Sequence, residues 1–293
     1  MDERFILVGA RSPQPSPPKK PGWYTGKPVI SMTILAALLL GCLCCGLFMP
    51  KDPAYMDLFH ASQAPSREFW FGTDTMGRDI FSMIWFGGRV SLSIGALSTA
   101  VSTGIAILFG TVSGMAPKWL DGLLMRGTEI FLSIPSLLLV VFLQAALGKA
   151  GVLSLSLVIG LTSWTSIAKV VRSEVRRLRG SEYVLASRCM GGGFFHILRQ
   201  HLAPNFFSSI MFMVVMNVRS AIAAESTLSF MGIGLPLETI SWGSMLSLSE
   251  QALLSGAWWI ILIPGGFLVA AMLCMASVGN WLRDGGSQGS SNL

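Results

Sequence analysis

Two ionisable residues, Arg219 and Glu225, interrupt an otherwise apolar run of the chain, Phe206–Met231. A charged side chain is costly in hydrocarbon, so each residue should face protein or water. They lie six positions apart, which is about 240° around a helix, so a straight helix does not pair them. Three interpretations stay open. The residues form a translocation path or gate, they form structural ion pairs near the membrane interface, or Glu225 ends the helix on its outer side.

Two groups of sulfur-bearing residues could bind a soft metal ion. These groups are Cys42, Cys44 and Cys45, and Met211, Met213 and Met216. The same side chains also pack ordinary membrane helices, and we favour that interpretation for both groups. We therefore expect no metal site and no catalytic residue in this chain.

The segment Glu182–Asn205 is polar and basic although apolar runs lie on both sides of it. Helical spacing places Glu182, Ala186 and Met190 on one stripe, with Ser187 beside it. The small side chains at positions 186 and 187 would let a partner surface approach the helix backbone closely. This pattern favours a docking element over an ordinary solvated loop.

The same segment predicts a sharp turn. Three glycines begin at Gly191, and glycine adopts positive φ angles without a steric penalty. A second short helix would carry His201 and end at Pro204. The sequence therefore predicts a compact helical hairpin.

No phosphate-binding loop of the form G-x-x-x-x-G-K-[ST] occurs in the chain. The glycines at Gly191 are not followed by lysine and do not follow a strand. We expect this chain to bind no cofactor, so ATP and Mg²⁺ would be bound by partner subunits. A docking hairpin without a nucleotide site indicates one non-catalytic subunit of a larger assembly.

The chain as a whole has the composition of a polytopic membrane protein. It is 52% hydrophobic and only 12% charged, with a mean hydropathy of +0.62, whereas soluble domains are about 25% charged. A membrane-crossing helix needs about 20 apolar residues. The sequence predicts an all-α membrane protein with six transmembrane helices, at Val29–Met49, Val90–Ala116, Ile130–Leu147, Val152–Ala168, Phe206–Met231 and Ala257–Gly279. Pro135 and Pro264 predict kinks within two of them.

Basic residues orient the spans. With the N-terminus in the cytoplasm, fifteen of the 21 Lys and Arg residues lie on the inside and five on the outside. Positive charge accumulates on the cytoplasmic side of membrane proteins. The net charge of +6 therefore indicates topology and no nucleic-acid partner.

The predicted organisation follows from these spans. Residues 1–28 form a Pro-rich cytoplasmic tail that cannot bury a core. Residues 29–282 form the transmembrane domain, and residues 283–293 form a cytoplasmic C-terminal tail. Within the domain, the hairpin loop covers about 172–205, and two long outside segments cover about 50–89 and 232–256.

Several motifs resemble one family. The pattern E-x-x-x-A-[AS]-x-x-x-G in the hairpin, followed by H-x-x-P-N, resembles the EAA loop of bacterial ABC importer permeases. The segments Phe71–Ser82 (FGTDTMGRDIFS), Met125–Leu139 (MRGTEIFLSIPSLLL) and Glu225–Leu246 (ESTLSFMGIGLPLETISWGSML) resemble segments of the dipeptide, oligopeptide and nickel group. The chain end, Val278–Asp284, resembles G-D-x-L-R-D, with Asn280 where Asp is usual. The resemblance covers nearly everything after residue 29 and points to the shorter, C-type subunit.

The resemblance implies a type I ABC importer permease fold and a function. This chain would form half of a pore in a bacterial inner membrane. It would pair with a B-type permease subunit, two ATP-binding subunits and an extracytoplasmic solute-binding protein. Its coupling-loop residues would be Glu182, Ala186, Ser187, Gly191, His201 and Pro204. Arg219 or Glu225 could face the partner permease.

The outer motif Phe71–Ser82 has two interpretations. Asp74, Arg78 and Asp79 would form turns with charge pairs, which lead into a short amphipathic element, Arg78–Arg89, on the outer surface. The alternative is that these three residues contact the binding protein.

The solute is the least determined part. Peptides are slightly favoured because Glu225 lies in a peptide-type ESTLSF segment, and nickel or a metal–chelator complex is the alternative. A stand-alone secondary transporter would show internal repeats and intramembrane carboxylates, but the sequence has no clear inverted repeat. A membrane scaffold would leave the hairpin unexplained.

Overall fold

A computed structural model describes residues 28–148, 151–236, 238–248, 252 and 256–289. Among these residues the only β-type pairing is an isolated bridge between Thr73 and Asp79. A 3₁₀ turn occupies Leu58–His60 and a π-helix occupies Leu198–Leu202. The α-helices in chain order are α1 (Val29–Leu43), α2 (Cys45–Phe48), α3 (Ile80–Met115), α4 (Lys118–Ser133), α5 (Ser136–Leu147), α6 (Val152–Ser163), α7 (Thr165–Leu178), α8 (Glu182–Cys189), α9 (Phe194–Ile197), α10 (Ala203–Phe230), α11 (Trp242–Ser247) and α12 (Trp259–Gly289). The predicted all-α class is confirmed.

Several of these helices could cross a membrane. Three helices are long and apolar enough on their own. They are α3, the part of α10 that begins at Ser209, and the part of α12 that ends at Arg283. Two bent pairs, α4 with α5 and α6 with α7, raise the number to five if each pair is one span. Helix α1 is apolar but has 15 residues. These helices agree with a multi-pass membrane protein, and the count of six stays a prediction.

The predicted third span, Ile130–Leu147, is broken. Helices α4 and α5 meet at 88°, and neither Ile134, which is extended, nor Pro135 between them has helical backbone angles. The ring of a proline disfavours the helical conformation at the preceding residue, which here is Ile134. The kink expected at Pro135 is confirmed as an 88° bend between two helices, and the assignment of the pair to one span stays a prediction.

The predicted fourth span, Val152–Ala168, is also divided. Helices α6 and α7 meet at 47°. The hydroxyls of Thr162 and Ser163 both donate to the carbonyl of Ile159, at 2.9 and 2.7 Å. Such side-chain bonds compete with the backbone ladder and bend helices. The helix therefore ends at Ser163, and α7 continues in a new direction to Leu178.

Helix α3 begins earlier than expected. The sequence predicts a separate surface element at Arg78–Arg89, but α3 runs without interruption for 36 residues from Ile80. The Asp79 carboxylate accepts a hydrogen bond from the backbone N–H of Ser82 at 3.0 Å and caps the helix. The helix is about 54 Å long. The prediction of a separate surface element at Arg78–Arg89 is therefore wrong.

Close backbone contacts make α3 the central helix. A β-carbon added at Gly110 would lie 2.6 Å from the carbonyl oxygen of Ala168 in α7. One added at Gly160 of α6 would lie 2.8 Å from the carbonyl oxygen of Ser98 in α3. The absence of side chains at these positions lets both halves of the bent α6–α7 pair pack directly on α3.

Buried apolar residues form three clusters. The first surrounds fully buried Trp242 and joins α1, α3, α11 and α12. The second packs the hairpin against α7 and α3, with Val184 and Phe206 at its centre. The third joins α3, α5, α6 and the second half of α10 around Leu155. Helix α12 continues through Pro264 to Gly289, beyond the predicted boundary at residue 282, and its expected kink stays a prediction.

Candidate functional site

Helix α8 presents one face to the protein and one to the surroundings. Val184 is fully buried and belongs to the second apolar cluster. Glu182, Ala186 and Met190, which share the predicted stripe, are exposed. The hairpin is therefore held from beneath, and its outer stripe stays accessible.

Ser187 has a different environment from the expected one. Ser187 is only 4% exposed, so it does not lie beside Ala186 on the outer surface. The expectation that position 187 lets a partner approach the helix is therefore wrong. The backbone N–H of Gly192 donates to the carbonyl of Ser187 at 2.9 Å. A β-carbon at Gly192 would lie 2.7 Å from the Ser187 hydroxyl oxygen. The small side chain at position 187 therefore makes room for the turn.

Gly191 provides the turn conformation itself. Its φ is +86°, in the left-handed region, and no heavy atom lies within 4 Å of the place where its β-carbon would be. The bond from Gly192 to Ser187 closes the end of α8 in the Schellman pattern, which usually places glycine at this position. Glycine is needed here for backbone conformation and not for space within the chain.

The second half of the hairpin differs from the prediction. The chain is helical from Phe194 to Phe230, through α9, the π-helix and α10. Pro204 lies in the first turn of α10, directly after the π-helix, so it does not end a helix. His201 lies in the π-helix. The side chains of His201 and Pro204 lie outside the described residues.

Large apolar side chains are exposed around the stripe. Met190 is 82% exposed and Phe195 is 74% exposed, and both follow α8 in the turn and in α9. Tyr183 and Leu185 of α8 are also exposed. A large exposed apolar patch on a protein surface often marks an interaction site. The hairpin therefore has the composition of a docking surface.

A cluster of charges connects the first turn of α4 with α7. The Asp121 carboxylate is 4% exposed and accepts hydrogen bonds from both Arg172 and the Ser113 hydroxyl. Arg176 contacts the same carboxylate at 2.9 Å. Arg179, which directly follows α7, donates to the carbonyl of Gly114 at 3.0 Å. The end of α3, the start of α4 and α7 are therefore fixed to one another.

Glu225 is fully buried and accepts hydrogen bonds from hydroxyls on separate parts of the chain. Ser241, which precedes α11, donates at 2.7 Å, Ser229 at 3.0 Å and Ser91 of α3 at 3.1 Å. Ser226 contributes a longer bond of 3.4 Å. Of the interpretations offered by the sequence, a pore-lining or gating side chain does not fit this enclosed position. Glu225 connects α3, α10 and the segment before α11.

Arg219 lies apart from Glu225, as its helical spacing predicts. Its Nε atom is buried and has no hydrogen-bond partner among the residues that the structure describes. The residue as a whole is half-buried. A charged side chain within a membrane faces protein or water, and the exposed part of Arg219 is available for such a contact.

The outer turn Gly72–Asp79 is folded in on itself. The Arg78 guanidinium donates to the Asp74 carboxylate at 2.7 Å, and the second oxygen of Asp74 accepts the backbone N–H of Arg78 at 2.8 Å. Asp74, Arg78 and Asp79 are each at most 4% exposed. The structure contains the expected charge-paired turn, and contact of these residues with a binding protein stays a prediction.

A second outer contact lies beside this turn. The hydrogen bond between Asp57 and the ring of His60, at 2.6 Å, holds the pKa of the Asp57 carboxyl below its ordinary value. The backbone of Asp57 also lies against Gly77. The outer segment is therefore an ordered structure on the start of α3.

The sequence of this chain is similar to those of known proteins. The family described as binding-protein-dependent transport system inner membrane component matches residues 106–285, which include the Asp121 cluster, the hairpin, Arg219 and Glu225. This chain belongs to that family. The predicted permease class is confirmed.

Relatives of this inner membrane component extend the match. A putative peptide permease protein of Brucella suis biovar 1 is 36% identical over 257 residues, which cover 87% of this chain and 85% of the relative. The oligopeptide transport system permease protein OppC of Bacillus subtilis is 34% identical and covers 87% and 83%. The dipeptide transport system permease protein DppC of the same organism is 34% identical and covers 80% and 73%.

Sequence reasoning missed two parts of this family member. The Asp121 cluster joins residues 51 positions apart, and no local pattern indicates such a pair. The serines around Glu225 come from positions up to 134 residues away. The S-W-G segment after ESTLSF was visible as a motif, but its contact with Glu225 requires the fold.

Proposed function

We propose that this chain is the C-type permease subunit of an ATP-driven importer of di- and oligopeptides. The observation that carries the proposal is the hairpin, whose buried side anchors it to α7 while Met190 and Phe195 stay exposed. An exposed apolar surface suits a groove on an ATP-binding subunit. The family match and the names of the peptide permease relatives support the rest.

The chain itself performs no catalysis in this proposal. Two ATP-binding subunits bind ATP and Mg²⁺, and hydrolysis moves the hairpin. A binding protein delivers the solute on the outer side. The chain lies in the bacterial inner membrane with both termini in the cytoplasm, which the distribution of Lys and Arg supports.

Motion can pass from the hairpin into the membrane through packed elements. Val184 of α8 and Val175 of α7 belong to one buried cluster. Arg172 and Arg176 of α7 contact Asp121 at the start of α4. A displacement of α8 would therefore carry α7 and, through the ion pairs, the α3–α4 turn.

The partial exposure of Arg219 suits contact with a second membrane subunit. The residue is half-buried, and Glu225 accepts hydrogen bonds from serine hydroxyls instead. The Nε atom is enclosed by this chain, so only the exposed part of the side chain can reach a partner. We infer that this part contacts a B-type permease subunit.

Reconstitution tests the proposed function directly. The chain is purified with its partner permease and ATP-binding subunits and placed in vesicles with a binding protein outside. We expect uptake of labelled trialanine that requires ATP on the hairpin side. Uptake by the isolated chain without ATP would indicate a secondary transporter, and ATP-driven uptake of nickel but not of trialanine would replace peptide as the solute.

A further inference from the structure

Two adjoining cavities lie where α5, α6, α7 and α10 meet. Their volumes are about 140 and 380 Å³, and both are lined by Ser136, Thr162, Ser163 and Ser220. They therefore form one continuous depression, which we call the hydroxyl groove. Both helix breaks open onto it, because Ser136 begins α5 and Ser163 ends α6.

Three hydroxyls in the groove are unused by the protein. Ser136, Ser166 and Ser220 lie on α5, α7 and α10, are exposed, and form no hydrogen bond within the described part of the chain. Their neighbours Thr162 and Ser163 instead donate to a backbone carbonyl of their own helix, as membrane hydroxyls usually do. Unpaired hydroxyls facing lipid would cost free energy. This surface therefore suits a polar occupant.

Adaptable apolar side chains complete the larger cavity. Met213, Met216 and Phe212 line it on the α10 side. Asn217 also lines it, with its amide NH2 donating to the Ser102 hydroxyl. Methionine is flexible and polarisable, and it suits surfaces that accept many different partners. The groove thus combines polar side chains that form hydrogen bonds with flexible methionine side chains that adapt to different partners.

We propose that the hydroxyl groove is this chain's wall of the solute path and binds the backbone of a transported peptide. A peptide offers an N–H donor and a C=O acceptor at almost every residue, whatever its side chains. Serine hydroxyls both donate and accept, so they can bond to either group. Met213 and Met216 would contact the variable side chains. This inference rests on the proposed function and assigns it a site.

The composition of the groove also separates peptide from nickel. The residues lining both cavities carry hydroxyl, amide, thioether and hydrocarbon side chains. A bare nickel ion favours imidazole or other strong nitrogen and oxygen ligands in a fixed geometry. Hydroxyls spread over three helices match an extended peptide better than a single ion.

Cysteine labelling tests the proposal in the assembled transporter. Ser136→Cys, Ser166→Cys and Ser220→Cys are introduced singly and treated with a charged, water-soluble methanethiosulfonate. Mass spectrometry measures modification at each position. We expect all three cysteines to react. Trialanine supplied through the binding protein, at about ten times the Kd of the groove for this peptide, should slow the reaction about tenfold. The three helices give independent tests.

Ser93→Cys is the matched control. Ser93 is an exposed serine of α3 whose hydroxyl donates to the Arg89 carbonyl at 2.7 Å, and it does not line the groove. We expect peptide to leave its labelling rate unchanged. If the groove cysteines do not react, or react equally with and without peptide, the groove is not the wall of the solute path. This conclusion holds even where the vesicles take up peptide. If nickel is carried and slows labelling while trialanine does neither, the peptide class fails together with the proposed function.

Discussion

At the scale of single residues, Glu225 shows how a costly side chain is accommodated in an apolar helix. Hydroxyls from α3, α10 and the segment before α11 donate to its two oxygens. The Ser91 hydroxyl also accepts the backbone N–H of Trp242 at 3.2 Å, so the carboxyl and the backbone of the outer segment share a partner. The sequence identifies Glu225 as unusual, but its partners depend on contacts between distant segments.

Two substitutions of Glu225 should have different effects. Glu225→Leu should lower the thermal stability of the complex, because each buried hydroxyl left unpaired costs about 1–3 kcal/mol. Glu225→Gln keeps the shape and one acceptor oxygen, so it should retain most stability and most uptake. Detergent-solubilised melting curves and vesicle uptake measure both. Normal melting with abolished uptake in Glu225→Gln would show that the charge takes part in transport, contrary to a structural role.

At the scale of helices, the lengths of the apolar runs located the spans but not the bends within them. The run that contains Pro135 reads as one span, because a hydropathy window is insensitive to a bend. The 88° break follows from the proline, which the sequence shows, and from packing on α6, which it does not. Similarly, the end of α6 depends on two hydroxyls that bond to one carbonyl.

The ion pairs between α4 and α7 lead to a prediction about coupling. Asp121→Asn removes the shared counter-charge of Arg172 and Arg176, which are partly exposed, so we expect a modest stability loss of roughly 1–2 kcal/mol. We expect ATP hydrolysis to continue while fewer peptides are carried per ATP. The two rates are measured in the same vesicles.

The matched control for Asp121→Asn is Glu174→Gln. Glu174 pairs with Arg177 at 2.6 Å on α7, and that arginine is 68% exposed. An exposed pair of this kind contributes little, so peptides carried per ATP should not change. An equal loss in both variants would mean that α7 tolerates no charge change, and the specific route through Asp121 would be wrong.

At the scale of the whole molecule, the hairpin, α7 and the groove form a continuous structure. The hairpin packs on α7, and Ser166 of α7 lines the groove. The sequence was sufficient for the class, for most helices and for the exposed stripe of Glu182 and Ala186. It was insufficient for Ser187, whose burial depends on the turn at Gly192. Short-range motifs predict local shape, and long-range packing determines which small residue faces outward.

The most direct test of the account is ATP-dependent peptide uptake by the Ala186→Trp variant of the assembled transporter. Ala186 is exposed, so the larger ring should leave the chain folded but block a docked ATP-binding subunit. Ala100→Trp, at an exposed position of α3, is the control. We predict that Ala186→Trp loses uptake and no longer co-purifies with the ATP-binding subunits, while Ala100→Trp retains both. Normal uptake and intact co-purification in Ala186→Trp would contradict the assignment of the hairpin as the coupling element.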